Sequence, residues 1–187
     1  MSMKKSTAII LATVVIACLC LTGFFVVRAK RYPLKYKNEI CFYAEQNNLS
    51  PALVASMINT ESSFNKNAKS NKGAIGLMQI KLSTANYMCD YYKLDENLTE
   101  ENLFEVATNL KFGCLYLKYL INKFNNINTA IASYNAGETV VRSWLKNQAY
   151  SSNGKTLDFV PYQETENYIK KVNKNLKFYS KKFNYIF

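Results

Sequence analysis

The chain contains no histidine among its 187 residues. That absence excludes a Ser-His-Asp or Cys-His nucleophile pair built within the chain. It also excludes His-ligated zinc, including the H-E-x-x-H peptidase arrangement. Any chemistry must therefore come from carboxylates, amides, hydroxyls and lysines. Helix breakers are scarce, with three prolines and six glycines, and no clean run of alternating apolar and polar residues appears. Both features predict helices almost throughout and exclude a mainly β fold. No Cys-x-x-Cys pair occurs among the five cysteines, which speaks against thiol redox chemistry or a thiolate metal site. Acids are few: 13 Asp and Glu stand against 24 Lys and Arg, a net charge of +11. Such a balance suits a polyanion such as nucleic acid, anionic lipid or cell wall, without choosing among them. Lys170, Lys171, Lys174, Lys177, Lys181 and Lys182 crowd the end of the chain with no acid after Glu166.

What is present begins with an uncharged apolar run over residues 8–27, long enough to cross a hydrocarbon core as a helix. Lys4 and Lys5 precede it, and Arg28, Lys30, Arg31, Lys35 and Lys37 follow. No small-x-small exit typical of a cleaved signal is evident. The expected organisation is a short cytoplasmic tail over residues 1–7, an uncleaved signal-anchor over 8–27, a basic linker over 28–38 and one domain over 39–187. Val15-Ile16-Ala17-Cys18 resembles a lipobox, but the apolar run continues past Cys18 to Val27. Cys18 and Cys20 fall in this span. Cys41, Cys89 and Cys114 sit in apolar stretches and are expected as buried, inert thiols.

Beyond the linker the periodicity is helical. Residues 40–46 read as a first helix. Ser50-Pro51 reads as an N-cap followed by proline at the first helical position. Leu53, Val54, Met57 and Ile58 then form one apolar stripe, and Glu61 extends it, three and four residues on. Residues 66–75 form a polar loop. Helices are predicted over 77–92, over 102–123 with a break, and over 129–134, the last stopped by Asn135-Ala136-Gly137. Another covers 140–146 around Trp144, the single tryptophan, and a last one runs over 165–179.

A carboxyl on an apolar helix face loses solvation, which raises its pKa and keeps it protonated near neutral pH. Glu61 is therefore a candidate general acid. Gly73 and Gly76 allow close backbone approach in the loop that follows, and the Gln79 amide both donates and accepts hydrogen bonds. Tyr134 and Asn135 are presented at a helix stop. No second carboxylate lies near Glu61 in sequence. Asp158 and Glu164 are the nearest candidates for the partner that a two-carboxylate glycosidase requires.

Five segments in order carry a resemblance: Glu61-Ser62; Gly76-Leu77-Met78-Gln79; Asn109 to Leu117, with Gly113, Tyr116 and Leu117 at matching spacing; Ser133-Tyr134-Asn135-Ala136-Gly137; and Glu164-Thr165-Glu166-Asn167-Tyr168-Ile169. Together they resemble the bacterial soluble lytic transglycosylase domain, which is related to goose-type lysozyme. The resemblance implies an all-α, lysozyme-like domain that follows the transmembrane helix. It implies a lyase that cuts the β-1,4 bond between N-acetylmuramic acid and N-acetylglucosamine without adding water, with no cofactor and no metal. Glu61 would protonate the leaving oxygen and then take the proton of the muramyl C6 hydroxyl. Ser62, Gln79, Tyr134, Asn135 and Tyr168 would hold Glu61 and the sugar, and Met78 would line the cleft. Expected partners are peptidoglycan glycan strands and, through residues 8–27, a bacterial cell membrane, with the domain on the wall side. No nucleic-acid partner is implied, and any wall-spanning machine it serves stays unidentified. Two positions depart from the family pattern: Leu82 stands where a proline is usual, and Ser133 where an alanine is usual. A hydrolytic muramidase of the same fold and a non-catalytic wall-binding module remain the alternatives.

Overall fold

A computed structural model describes residues 2–184. Met1, the first residue of the expected tail, and residues 185–187, the last of the expected domain, lie outside the described residues. The chain divides into two compact units, residues 1–33 and 34–187. The first is a helix, α1 (Ser2–Arg31), which runs through the expected anchor into the expected linker. Its stretch Thr13–Arg31 is long and apolar enough to cross a membrane, and none of it is buried by protein.

The second unit is built from α2 (Lys37–Gln46), α3 (Pro51–Glu61), α4 (Leu82–Tyr92), a 3-10 turn (Asn102–Phe104), α5 (Val106–Phe124), α6 (Ile127–Ala136), α7 (Glu138–Leu145) and α8 (Gln163–Asn184). Among the described residues the regular structure is all helical, with two isolated β-bridges inside one loop. The predicted break in the 102–123 segment is real and falls at Glu105, whose extended backbone separates the 3-10 turn from α5.

Helix α3 is the centre of the domain. The sequence predicts one apolar stripe, but every residue from Ala52 to Asn59 is buried, so the helix is enclosed on all sides. Such a helix needs its polar side chains satisfied by protein partners. Ser56 Oγ finds its acceptor within the helix at Ala52 O (2.5 Å), and α8 binds the helix end, where Asn175 Nδ2 donates to Thr60 Oγ1 (2.9 Å) and Lys171 Nζ to Thr60 O (3.0 Å). Pro51 stands at the first helical position as expected. The Ser50 side chain, however, makes no capping bond, and its backbone carbonyl instead accepts from the amides of Leu53 and Val54.

The predicted helix over 77–92 begins five residues late, at Leu82. Residues 77–80 have other partners. Leu77 O accepts from Ser62 Oγ (2.8 Å), Met78 N donates to Asn109 Oδ1 (2.8 Å), and Ile75 and Ile80 exchange both backbone bonds at 3.0 Å. The carbonyls of Leu77 and Ile80 are thereby withdrawn from a helix ladder, and the bond from Met78 N fixes the loop to α5. Cys41, Cys89 and Cys114 are free thiols; Cys89 and Cys114 are buried as expected, whereas Cys41, on α2, is only half-buried. Cys114 is fully buried, and burial pushes its thiol up to about 12, which leaves it inert.

Candidate active site

Glu61 is the last residue of α3, and the chain turns sharply after it. Ser63 and Phe64 both adopt left-handed backbone conformations (φ 51° and 63°), which is costly for residues with a Cβ. Burial of the Phe64 ring against Tyr179, with centroids 6.1 Å apart, holds this turn in place. Ser62 Oγ lies 2.8 Å from Leu77 O and 3.2 Å from Ile58 O. It thus pins the end of α3 to the glycine loop.

That loop, residues 66–81, folds back on itself through Gly76 N to Ala68 O (2.8 Å) and Ser70 N to Ala74 O (2.9 Å). Its anchor is Asn109 on α5, 1% exposed. Asn109 Nδ2 donates to Ile75 O (2.8 Å) and Leu103 O (2.7 Å), and Asn109 Oδ1 accepts from Met78 N. A Cβ on Gly76 would stand 2.2 Å from Asn109 Nδ2, and the residue has φ +76°. Only glycine fits there. At Gly113 a Cβ would stand 2.3 Å from Met78 Sδ, so α5 and Met78 meet through the absent side chain.

Met78 therefore differs from its expected role. Its side chain is fully buried against α5 instead of lining a cleft. What it offers the site is its carbonyl, which accepts from Tyr134 Oη (2.8 Å). Gln79 also has a left-handed backbone (φ 50°), and its Nε2 donates to Gly76 O (3.0 Å) and Ala68 O (3.3 Å). Its amide braces the loop while the residue lines a pocket of about 320 Å³ with Tyr116, Tyr134, Asn135 and Gly137. Asn135 Oδ1 accepts from Thr165 Oγ1 (2.8 Å), which ties the end of α6 to the start of α8.

Glu61 keeps part of its surface open to solvent, yet protein surrounds its carboxyl densely. Burial pushes its pKa up to about 7, against the opposing pull of a Tyr168 hydrogen bond and the Lys171 charge. Tyr168 Oη donates to Glu61 Oε1. The Tyr134 and Tyr168 hydroxyls are pushed well above their ordinary range, by burial first and then by the Glu61 charge, so both stay protonated as donors. The structure thus brings Glu61, Ser62, Tyr134 and Tyr168 together, with Gln79 and Asn135 in the adjoining pocket.

The two candidate second carboxylates do not join them. Asp158 is exposed and accepts from Ser152 N (2.7 Å), bracing a loop. Glu164 is exposed at the start of α8. Among the described residues neither shares a hydrogen bond with Glu61. The sequence reading also left roles unassigned to Asn109, Thr165 and Lys171. A polar residue amid the apolar positions of α5 was the available signal for Asn109.

The family model for the transglycosylase SLT domain matches residues 39–157. The soluble lytic murein transglycosylase of Salmonella typhimurium is 34% identical over 76% of this chain and 22% of its own length. The membrane-bound lytic murein transglycosylase C of Yersinia enterocolitica is 35% identical over 57% of this chain and 33% of its own. Among solved structures, the 70 kDa soluble lytic transglycosylase of Escherichia coli superposes with a TM-score of 0.71 at 29% identity, over 81% of this chain and 25% of that one. A lytic transglycosylase from Pseudomonas aeruginosa, solved as an inactive mutant, gives 0.72 at 27%, over 83% and 25%. The chain thus spans about a fifth to a third of the length of these relatives, and the expected all-α, lysozyme-like fold is the one it has. With its motifs, its fold and the match over residues 39–157 in agreement, the chain belongs to the transglycosylase SLT domain family.

Proposed function

We propose that this protein is a membrane-anchored lytic transglycosylase that cleaves the N-acetylmuramyl-β-1,4-N-acetylglucosamine bond of peptidoglycan and leaves a 1,6-anhydromuramyl end. The observation that carries this reading is Glu61, a carboxyl raised to about 7 by burial and hydrogen-bonded by Tyr168. A protonated carboxyl of that pKa is matched to donate near neutral pH and to accept a proton afterwards. Glu61 Oε–H would protonate the glycosidic oxygen as the C1–O bond breaks. The resulting carboxylate would then remove the proton of the muramyl C6 hydroxyl as that oxygen bonds to C1. Both reacting oxygens belong to the substrate, so one carboxylate suffices and no water is consumed. Tyr168 would position Glu61, and Tyr134, Gln79 and Asn135 would border the sugar.

The anchor is proposed on the apolar run over residues 8–27, which overlaps the stretch Thr13–Arg31, with the SLT domain on the wall side of a bacterial membrane. Large C-terminal domains translocate despite flanking positive charge. A relative named as membrane-bound is consistent with this.

The test is mass spectrometry of peptidoglycan digested with the full chain in detergent, beside a Glu61→Gln control. Anhydromuramyl products that vanish in the control are expected. Reducing-end products would make the protein a hydrolase. Undigested wall, with folded protein bound to it, would make it a binding module. Release of the protein from membranes by alkaline carbonate would refute the anchor.

A further inference from the structure

A second pocket, of about 780 Å³, lies away from Glu61 between the ends of α5 and α7 and the loop before α8. Four of its lining residues are cationic, Lys123, Arg142, Lys146 and Lys155, and none is acidic. Lys123 and Arg142 share one carboxylate, Glu138, at 2.6 and 3.2 Å. Lys146 and Lys155 make no ion pair among the described residues. The loop that carries Lys155 is tightly built. Asn153 Oδ1 accepts from the backbone amides of Lys155 and Thr156 (both 2.8 Å), and Ser151 Oγ donates to Thr156 O (2.7 Å). The cations thus stand around a preformed concavity, not on mobile tips.

This pocket and the one at Tyr134 are bordered by the same two helices. Helix α5 lends Tyr116 to the first pocket and Lys123 to the second. Helix α7 starts directly after Gly137 in the first and reaches Leu145 in the second. Seven or eight residues of helix separate them, about 10–12 Å at helical rise, roughly the length of one disaccharide. The ground between is fixed by Tyr119, whose Oη donates to Glu138 Oε2 (2.7 Å) and accepts from Lys123 Nζ (2.6 Å).

We propose that the Lys146–Lys155 pocket binds the carboxylates of a peptide stem, carried by a muramyl residue one disaccharide away from the bond at Glu61. This rests on peptidoglycan being the substrate. The cationic lining calls for an anion, and the volume suits an extended peptide better than a single small ion. The shared helices α5 and α7 set that peptide along the course of a strand proposed to lie at Tyr134 and Asn135. The cations are exposed and their attraction is screened, so the expected gain is modest and salt-sensitive.

The experiment measures binding and cleavage separately. Binding uses the full chain in detergent carrying Glu61→Gln, sedimented with glycan strands that bear stems or have been stripped of them by an amidase. Lys146→Glu with Lys155→Glu is compared with Lys174→Glu plus Lys177→Glu, an equal charge change on α8, and with the milder Lys146→Gln plus Lys155→Gln. Melting curves confirm that each variant folds. The expected result is a preference for stem-bearing strands of about tenfold. Reversal of the pocket abolishes that preference, the neutral pair weakens it, and reversal on α8 leaves it intact. In the Glu61-intact protein the pocket reversal raises KM on stem-bearing strands and leaves kcat, and turnover of stripped strands, unchanged. Equal preference in the pocket variant and the parent overturns the inference, as does an equal loss from both charge reversals. Stem-dependent binding without cleavage by the Glu61-intact protein overturns the transglycosylase reading and leaves the stem pocket standing.

Discussion

Two half-buried glutamates, Glu61 at the end of α3 and Glu138 at the start of α7, meet opposite fates. Burial raises both. At Glu61 it prevails, because one tyrosine hydrogen bond and the more distant Lys171 charge are too little to offset it, and the carboxyl holds its proton to about 7. At Glu138 hydrogen bonds from Lys123, Tyr119 and Arg142 outweigh burial, and the carboxyl is held below its ordinary range. Depth and partners together decide which acid keeps its proton: protein packs more densely around the Glu61 carboxyl, and Glu138 has three donors where Glu61 has one. The first arrangement suits chemistry, and the second suits a structural brace between α5 and α7.

The sharpest contrast comes from making the same substitution at both positions. Glu61→Gln should lower the rate of wall cleavage by about 10²- to 10⁴-fold, the span that a general acid contributes. Glu138→Gln should change it less than about threefold, since its loss touches a brace and not the reacting atoms. Turnover of purified wall by both variants, with circular dichroism to confirm folding, checks this. Comparable losses would end the distinction between the two acids.

The same pair should separate again in stability, with opposite pH dependence. Between the ordinary carboxylate range and about pH 7, folded Glu61 keeps its proton while the unfolded chain releases it. Wild-type stability therefore falls as pH rises through that window, by about 3 kcal/mol at 1.36 kcal/mol per unit. Gln carries no such cost, so Glu61→Gln should gain on the wild type by about that amount between pH 4.5 and 8. Glu138 has a depressed pKa in the fold, so its contribution is present above the ordinary range and lost as pH falls through its folded value. Glu138→Gln should be less stable by about 1 kcal/mol at neutral pH and approach the wild type in acid. Urea midpoints from about pH 2 to pH 8 read both.

Tyr168→Phe tests what tempers Glu61. The Tyr168 hydrogen bond favours the charged carboxylate, so its removal should move the alkaline limb of the activity profile to higher pH. A limb that stays in place would mean that Tyr168 only packs beside the acid. A limb that moves down would mean that burial is not what raises Glu61.

The contrast between these acids was half legible in the sequence. Glu61 extends the period of Leu53, Val54, Met57 and Ile58, so helical geometry alone predicted its loss of water, and α3 is buried as that requires. Glu138 gave no such signal. Arg142, four residues on along α7, is an ordinary i,i+4 partner, but Lys123 and Tyr119 sit on α5, 15 and 19 residues earlier, so that part of its pairing exists only once the two helices pack. The same limit applies at the loop. Residues 77–80 have helical periodicity, but Asn109, 31 residues from Met78, binds the Met78 amide and holds the segment as a loop. Met78 likewise had the right type for a cleft wall, and only the close approach of Gly113 turns it into the core. Local pattern specified the elements and the acid, while long-range hydrogen bonds decided which residues face the substrate.

The smallest effect concerns a polar group with neither kind of compensation. Ser133 is fully buried on α6, immediately before Tyr134, and among the described residues its Oγ is a buried side-chain atom with no hydrogen-bond partner. Glu61 gains function from its cost and Glu138 recovers its cost through cations, but Ser133 does neither. Alanine has the same backbone demands, a better helix propensity and no hydroxyl to desolvate. Ser133→Ala should therefore raise stability by about 1 kcal/mol, read as a higher urea midpoint with an unchanged slope. Activity and its pH profile should stay as they are, since the hydroxyl contacts neither Tyr134's donor bond nor Glu61. A loss of stability would show that Ser133 has a partner in solution, and a loss of activity would place it among the residues that set Tyr134.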